Sequence, residues 1–516
     1  MPAPAPSRGA RKNPACAVCR AKCRKCDRKR PTCGRCVEHG VRCEYPPRFQ
    51  FHFHHVRQPS STTDEGSTAV AEEVAEEEEE QQQQQQQQQQ HEWAVHDASP
   101  HDLIYTPSTH DESNTIDETS VASPQDVRMQ HVLSLPGTHE LLRYFDERVC
   151  EDLAIAPPPL ANPFRVHVVP LAYTHVGVLE AVLGLTICHT RKSCLPGADL
   201  TRMLEHRLSA IQTLSSLFAK NDVGGLSPTE ENEMLVTALL LVLHDMCESG
   251  ISTHGAHLTG VAPYCNTLVA RGPAAPHSTT SFVLTALAWL DMLRGFSGAE
   301  KLAHHDAVRQ ATRDTADFTL DILTGCPVRI FRRIGKLLQT GNAFLAEIAS
   351  RADLVTAADE TERFLRAWEP DDEVYPTQHP EWRLVAQAWR HVALIRTMRF
   401  PDPFEHPCTD DRFRTSVAEI LDACARVPRG TTFHKRLLFP LFIAGTETES
   451  PHLQDYVRMQ LAEIANASAF TQDAMWTILN ATWKEREQNT QHWANVPWME
   501  YTCSTLLQRQ HDYLFF

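Results

Sequence analysis

The residues in this chain whose types and spacing could do chemistry are six cysteines between positions 16 and 43. Cys16 and Cys19 form a Cys-x-x-Cys pair, followed after six residues by Cys26. Cys33 and Cys36 form a second pair, followed after six residues by Cys43. Thiolates are preferred ligands of tetrahedral zinc. Two such ions need eight ligand positions, and six sulfurs fill them if two sulfurs bridge. Structural disulfides fit poorly with a chain that lacks a secretory leader, and a single four-cysteine site leaves two ligands unused. A stretch of about 30 residues buries too little to fold unaided, so metal binding would supply the folding free energy. Between and beside the cysteines stand Arg20, Lys22, Arg24, Lys25, Arg28, Lys29, Arg30, Arg35 and Arg42. Cations at that density point to nucleic-acid phosphates.

This stretch resembles the fungal Zn2Cys6 binuclear cluster family of transcription factors. The match runs through residues 16–43 as CxxCRxxxxKCDxxxPxCxxCxxxxxxC, with Arg20, Lys25, Asp27 and Pro31 in the family's places. The resemblance implies that Cys16 and Cys33 bridge two zinc ions. It further implies that Cys19 and Cys26 complete one site, and Cys36 and Cys43 the other. It also implies a short helix, about residues 17–25, whose C-terminal end enters the major groove and reads CGG-type triplets of double-stranded DNA. Arg20, Arg28, Lys29, Arg30 and Arg42 are candidate phosphate contacts, which position without reading sequence. Lys22, Arg24 and Lys25 lie nearest the base edges, where a cation donating to guanine is the commonest specific contact. At position 23 the family usually carries a basic residue, and this chain has Cys23. Three readings of Cys23 stand: a neutral substitution, an altered or weakened base preference, or a redox-sensitive or swapped ligand.

The elements that must position this module follow from charge and pattern. Residues 1–57 hold 14 Lys and Arg against 3 Asp and Glu, whereas the remaining residues hold 35 against 62, in a chain of formal charge −16. A basic module on an acidic body is the expected organisation. The basic runs at 11–12, 24–25 and 28–30 also suit a nuclear localisation signal, which places the protein in the nucleus. Residues 1–14 read as a disordered basic N-terminus, 15–48 as the DNA-binding module and 49–135 as a disordered linker. Within that linker Glu76–Glu80 precede ten glutamines at 81–90, a composition too polar to offset ordering entropy. Val70 and Val74 alone make no coiled-coil seam, so the chain is expected to act as a monomer on DNA or as a homodimer through its C-terminal body.

From residue 136 the pattern turns helical. Apolar residues recur at 141, 142, 145 and 149, and again at 384, 385, 388, 389, 392 and 395, a 3.6-residue period. Ser227 and Glu230 form a capping box with Pro228 at the first helical position, ahead of an apolar run at 234–243 that predicts a central core helix. Roughly 12–16 helices are expected over 136–516. This part resembles the fungal-specific transcription factor domain of the second type. The resemblance rests on NPFR at 162–165, VPLA at 169–172, HLTG at 257–260, FPLFIAG at 439–445, WKER at 483–486 and the pair Trp498, Met499. It implies an all-helical regulatory domain without catalytic residues, in which His257, Phe439 and Trp483 pack helices together.

The expected fold is therefore a small Zn2Cys6 cluster module, two short helices around two zincs, plus a large all-α regulatory domain, joined by a disordered linker. No HExxH, GxSxG, P-loop or dinucleotide fingerprint is present, and no apolar run reaches the about 20 residues of a bilayer span. The expected function is zinc-dependent, sequence-specific DNA binding in RNA polymerase II transcription, with coregulator contacts and control of a metabolic or secondary-metabolite gene cluster. Two alternatives are a regulatory interaction protein or repressor with weakened DNA reading, and a metabolite-sensing helical body.

Overall fold

The computed structural model describes residues 124–192, 200–252, 255–271, 278–311, 319–489, 493–504, 509–510 and 512–515. Fourteen helices of seven or more residues lie among them, thirteen of them within 136–516, where roughly 12–16 were expected. They are α1 (Pro124–Ser134), α2 (Thr138–Tyr144), α3 (Val176–Lys192), α4 (Leu200–Gly224), α5 (Pro228–Glu248), α6 (Ala256–Ala270), α7 (Ser278–Ser297), α8 (Val328–Leu345), α9 (Arg351–Ala367), α10 (Glu381–Met398), α11 (Asp411–Arg426), α12 (Leu438–Thr446), α13 (Pro451–Ala467) and α14 (Asp473–Gln488). Four two-residue strands complete the picture: β1 (Ile251–Ser252), β2 (Cys503–Ser504), β3 (Arg509–Gln510) and β4 (Asp512–Tyr513). Both pairs, β1 with β4 and β2 with β3, are antiparallel.

The linker expected over 49–135 ends earlier than the sequence suggested. Residues 124–134 form α1, and its Met129 and Val132 are buried in the core. Leu133 packs against that core, and Arg128 reaches Glu180 on α3 at 3.5 Å. Its three inward residues sit at helical spacing, yet the rest of the segment is polar enough to mask the stripe. The expected helix cap, core helix and apolar stripe are present. Ser227 and Glu230 cap α5 reciprocally, and residues 234–243 are at most 1 % exposed. Val385, Ala388, Trp389, Val392 and Ile395 are the buried stripe of α10.

Three helices with no polar face form the centre: α5, α7, which is buried from Thr280 to Ser297, and α12, which is buried throughout. An aromatic spine links α7, α10 and α12. The rings of Trp289 and Trp389 meet edge-on at 4.8 Å, and Trp389 stacks on Phe439 at 5.5 Å. Phe439 leads to Phe442, which meets Trp498 at 4.9 Å and Phe515 at 4.8 Å. Each fully buried large side chain contributes about 1.5–3 kcal/mol relative to exposure, so this spine is a main source of cohesion. Among the described residues no single helix is long and apolar enough to cross a membrane.

Candidate nucleic-acid interface and the body behind it

The predicted zinc ligands Cys16, Cys19, Cys26, Cys33, Cys36 and Cys43 lie outside the described residues. So do Cys23 and the predicted DNA contacts Arg20, Lys22, Arg24, Lys25, Arg28, Lys29 and Arg30. Their residue types still bear on the chemistry. Six thiols and no competing carboxylate cluster make a soft donor set that suits zinc over harder cations. The nine remaining cysteines include seven in the described body, all buried and none in a disulfide. Among the described residues no group of three or more His, Cys, Asp or Glu could hold a metal.

The conspicuous motifs of the body turn out to be joints between elements. Asn162 Oδ1 accepts from the backbone of Phe164 at 3.0 Å and Arg165 at 3.4 Å, while its Nδ2 donates to the Cys150 carbonyl at 2.6 Å. That locks a short turn so that Phe164 meets Phe282 of α7 edge-on. Gly445 accepts a hydrogen bond on its carbonyl from Trp483 Nε1 at 2.8 Å, and Arg486 donates to the carbonyls of Thr446 and Val496. The FPLFIAG and WKER segments thus clasp α12 to α14. Phe439 and Trp483 are packing residues, as expected.

His257 has a more polar position. Its Nε2 lies 3.9 Å from Asp245 Oδ2, a carboxylate that also takes Ser252 Oγ at 2.7 Å and Arg207 at 2.5 Å. Burial, together with the charges of Arg207 and His244, holds the His257 imidazole below its ordinary value against the pull of Asp245. Two residues on, Thr259 accepts from Arg294 of α7. The HLTG segment therefore ties α6 to the acid of α5 and the cation of α7.

Sequence reasoning missed two buried ionic centres. Asp291, fully buried on α7, accepts from the backbone of Ala303 at 2.8 Å and His304 at 3.2 Å. It pairs with Arg309 at 3.3 Å, while Arg309 also donates to Gln339 at 2.6 Å. Burial pushes the Asp291 carboxyl up, but His304, the Arg294 charge and the Ala303 amide outweigh it and hold it below the usual range. An Asp inside the apolar run of α7 was the available signal. The second centre is Asp152, reached by His189 Nε2 at 3.1 Å and by Lys435 Nζ at 2.5 Å, with Arg436 on its backbone carbonyl. Burial raises its carboxyl, and the bonds from His189 and Lys435 overcome that to bring it to about 2. His304 is a core histidine and His305 an exposed one.

A cleft of about 240 Å³ lies against α10 and α11, lined among others by Glu369, Asp371, Arg383, Glu419, Asp422 and Arg426. Its two cations are already matched, Arg383 to Asp371 at 2.6 Å and Arg426 to Asp422 at 3.2 Å. Its four carboxylates outnumber its two cations, so it carries a net negative charge and is no cationic cradle for an anion.

Comparison with known proteins places this geometry. A family model described as "Fungal specific transcription factor domain" matches residues 140–516. A second, described as "Fungal Zn(2)-Cys(6) binuclear cluster domain", matches residues 14–50. No curated protein and no solved structure matches the chain.

Proposed function

We propose that this chain, which belongs to the fungal specific transcription factor domain family and carries a Zn(2)-Cys(6) cluster domain at residues 14–50, is a nuclear, sequence-specific regulator of RNA polymerase II genes. The observation that carries the reading is the order of the two family matches, a basic zinc-cluster segment ahead of a helical body with its motifs spent on packing.

Cys16, Cys19, Cys26, Cys33, Cys36 and Cys43 would hold two zinc ions, with Cys16 and Cys33 shared. Zinc supplies the cross-links that such a short segment needs in order to fold. The chain's own residues then divide the work. Arg20, Arg28, Lys29 and Arg30 bind phosphates and set the pose, and Lys22, Arg24 and Lys25 donate to base edges of a CGG-type triplet. The body, residues 124–516, meets coregulators and governs output, and the target is a metabolic or secondary-metabolite gene set. Binding of the full chain to duplexes with and without CGG triplets, across salt concentrations, tests this. Specific binding exceeding non-specific binding by about 10³-fold or more supports it. A steep salt slope without sequence preference sinks it, and supports a second reading that Cys23 favours: a regulatory protein whose cluster no longer reads bases well. Mapping of bound genomic sites identifies the pathway.

A further inference from the structure

The turn from α4 into α5 stands open to solvent. Val223 is 91 % exposed, a Cβ at Gly224 or Gly225 would meet nothing within 4 Å, and Ser227, Pro228 and Thr229 are all exposed. Ser227 has extended backbone, with φ of −70° and ψ of 158°, the conformation favoured ahead of a proline. One carboxylate joins the two helices here. Glu230 of α5 accepts from Lys220 of α4 at 2.5 Å on one oxygen and from Ser227 Oγ at 2.8 Å on the other. The Lys220 side chain is itself more than half exposed. We propose that Ser227 is a phosphorylation site for a proline-directed serine kinase, and that its phosphate takes Lys220 from Glu230.

The dipeptide alone would not single out this serine. Ser-Pro or Thr-Pro occurs at five places, beginning at 99, 106, 123, 227 and 450. The fold separates the two whose serine lies among the described residues. Ser227 and Ser450 both stand ahead of a helix, α5 and α13, with extended backbone. Ser450, however, is half-buried and follows Thr446, Glu447 and Thr448, which are 1, 4 and 5 % exposed. Arg486 of α14 holds the Thr446 and Thr448 carbonyls, and the Ser450 amide donates to Thr448 Oγ1 at 3.2 Å. A kinase cleft takes its acceptor segment extended, so reaching Ser450 means opening the core. Ahead of Ser227 are two glycines and Leu226, which is only half-buried. After it comes the first turn of α5, whose leading amides have no helical partner to lose, and whose Pro228 keeps the same φ when the turn extends.

The transfer is a single displacement. Ser227 Oγ attacks the γ-phosphorus of ATP. An O–P bond forms, the bond from that phosphorus to the bridging oxygen breaks, ADP leaves, and the hydroxyl proton passes to the kinase's catalytic aspartate. The product carries about 1.5 to 2 negative charges at pH 7 where the hydroxyl stood. The bond that the hydroxyl donated to Glu230 is lost, and the phosphate repels that carboxylate. The charged groups around this turn are Lys220 and Asp222 of α4 and Glu230 and Glu231 of α5, with Glu231 engaged by Arg271 at 3.0 Å. Lys220 is therefore the cation in reach. Its bond, with those of Ser227 behind it, already holds the Glu230 carboxyl at about 2. The phosphate also keeps the cap, since the Glu230 amide that reaches Ser227 Oγ at 3.4 Å can donate to a phosphate oxygen instead. The joint between α4 and α5 thus exchanges a carboxylate bridge for a phosphate bridge, and Glu230 turns to solvent.

The test incubates the full zinc-loaded chain with a mitogen-activated protein kinase and ATP. Tryptic peptides 221–271 and 437–458 carry Ser227 and Ser450 separately, and fragmentation places each phosphate. Synthetic peptides of residues 220–234 and 443–457 give each serine's rate without the fold. In the chain, Ser227 should react within about tenfold of its peptide rate, while Ser450 should fall about a hundredfold or more below its own, because it waits for local unfolding. No phosphate on Ser227, or a rate depressed as far as that of Ser450, overturns the site. A second measurement follows the phosphate. The phosphorus resonance that is missing from Ser227→Ala should show its second ionisation below the ordinary value of about 6, because Lys220 favours the dianion. Lys220→Ala, which leaves the cap in place, should bring it back toward 6. An ionisation that is the same with and without Lys220 overturns the exchange of partners.

Discussion

At the scale of single residues, the sequence announced chemistry well where ligands cluster and poorly where charges meet across the fold. The zinc-cluster segment matched at residues 14–50 was legible because metal spacing is local. The pairing of Lys435 with Asp152 spans 283 positions, and no local pattern encodes it. Asp291 lay between, visible as a charge in an apolar run but without a nameable partner until Arg309 and His304 came together. Replacing Asp291 by Asn should cost up to about 3–5 kcal/mol, because it removes the buried carboxylate from Arg309 and leaves that cation only the partly exposed Asp306 at 3.4 Å. The denaturation midpoint reads this, and Arg426→Ala, which breaks an exposed pair, should move it by under about 1 kcal/mol. Two carboxyls give opposite pH dependences. Burial raises the Glu500 carboxyl to about 8. From about pH 4.5 to pH 8 the unfolded chain is ionised there while the folded one keeps its proton, so stability falls through that window. Glu500→Gln should therefore gain stability at pH 8 relative to the unsubstituted chain and gain little at pH 4. Asp152, held to about 2, adds stability above about pH 4 that is lost as pH drops through 2. In the DNA module, Cys23→Lys should tighten binding to a CGG-type duplex by about 1–3 kcal/mol, the worth of a positioned cation–guanine contact. Unchanged binding would show that position 23 is not where base reading was altered.

At the scale of elements, helix starts were legible when their caps were. Ser227 and Glu230 gave away α5 because their bonds join residues three apart, and Ser227→Ala should cost about 1 kcal/mol in the same midpoint measurement. The first helix was not legible, since three inward side chains carry no strong period against a polar background. Its anchoring is testable: Val132→Asp should release α1, and faster amide exchange across 124–134 than in α5 would report it. No change in exchange there would mean that Arg128 and Met129 suffice to hold the helix. The strands could not be read either, because two residues are too few to alternate. What places β4 is Asp512, whose carboxylate meets Arg294 Nε at 3.1 Å under a glycine, Gly255, with φ of 58°. A Cβ at that position would collide with Asp512, so Gly255 is required both by its left-handed backbone and by that close approach.

At the scale of the whole molecule, the core of the described body is complete without any contribution from the six cysteines of residues 16–43, which lie outside the described residues. Chelating zinc from the full chain should therefore abolish DNA binding while leaving the helical circular dichroism of the body almost unchanged. Parallel loss of both would show that the body depends on the module. The way the core closes has a further consequence for synthesis. Leu514 and Phe515 are buried, and Phe515 completes the aromatic spine against Phe442. Leu514 and Phe515 are thus needed to finish the core, and they are translated long after the residues that would hold zinc. At about 5–20 residues per second, the interval between them is on the order of a minute. Throughout it a nascent chain presents the whole cationic, cysteine-rich segment tethered to an unfinished body, so a truncated message would release that segment without the folded body behind it.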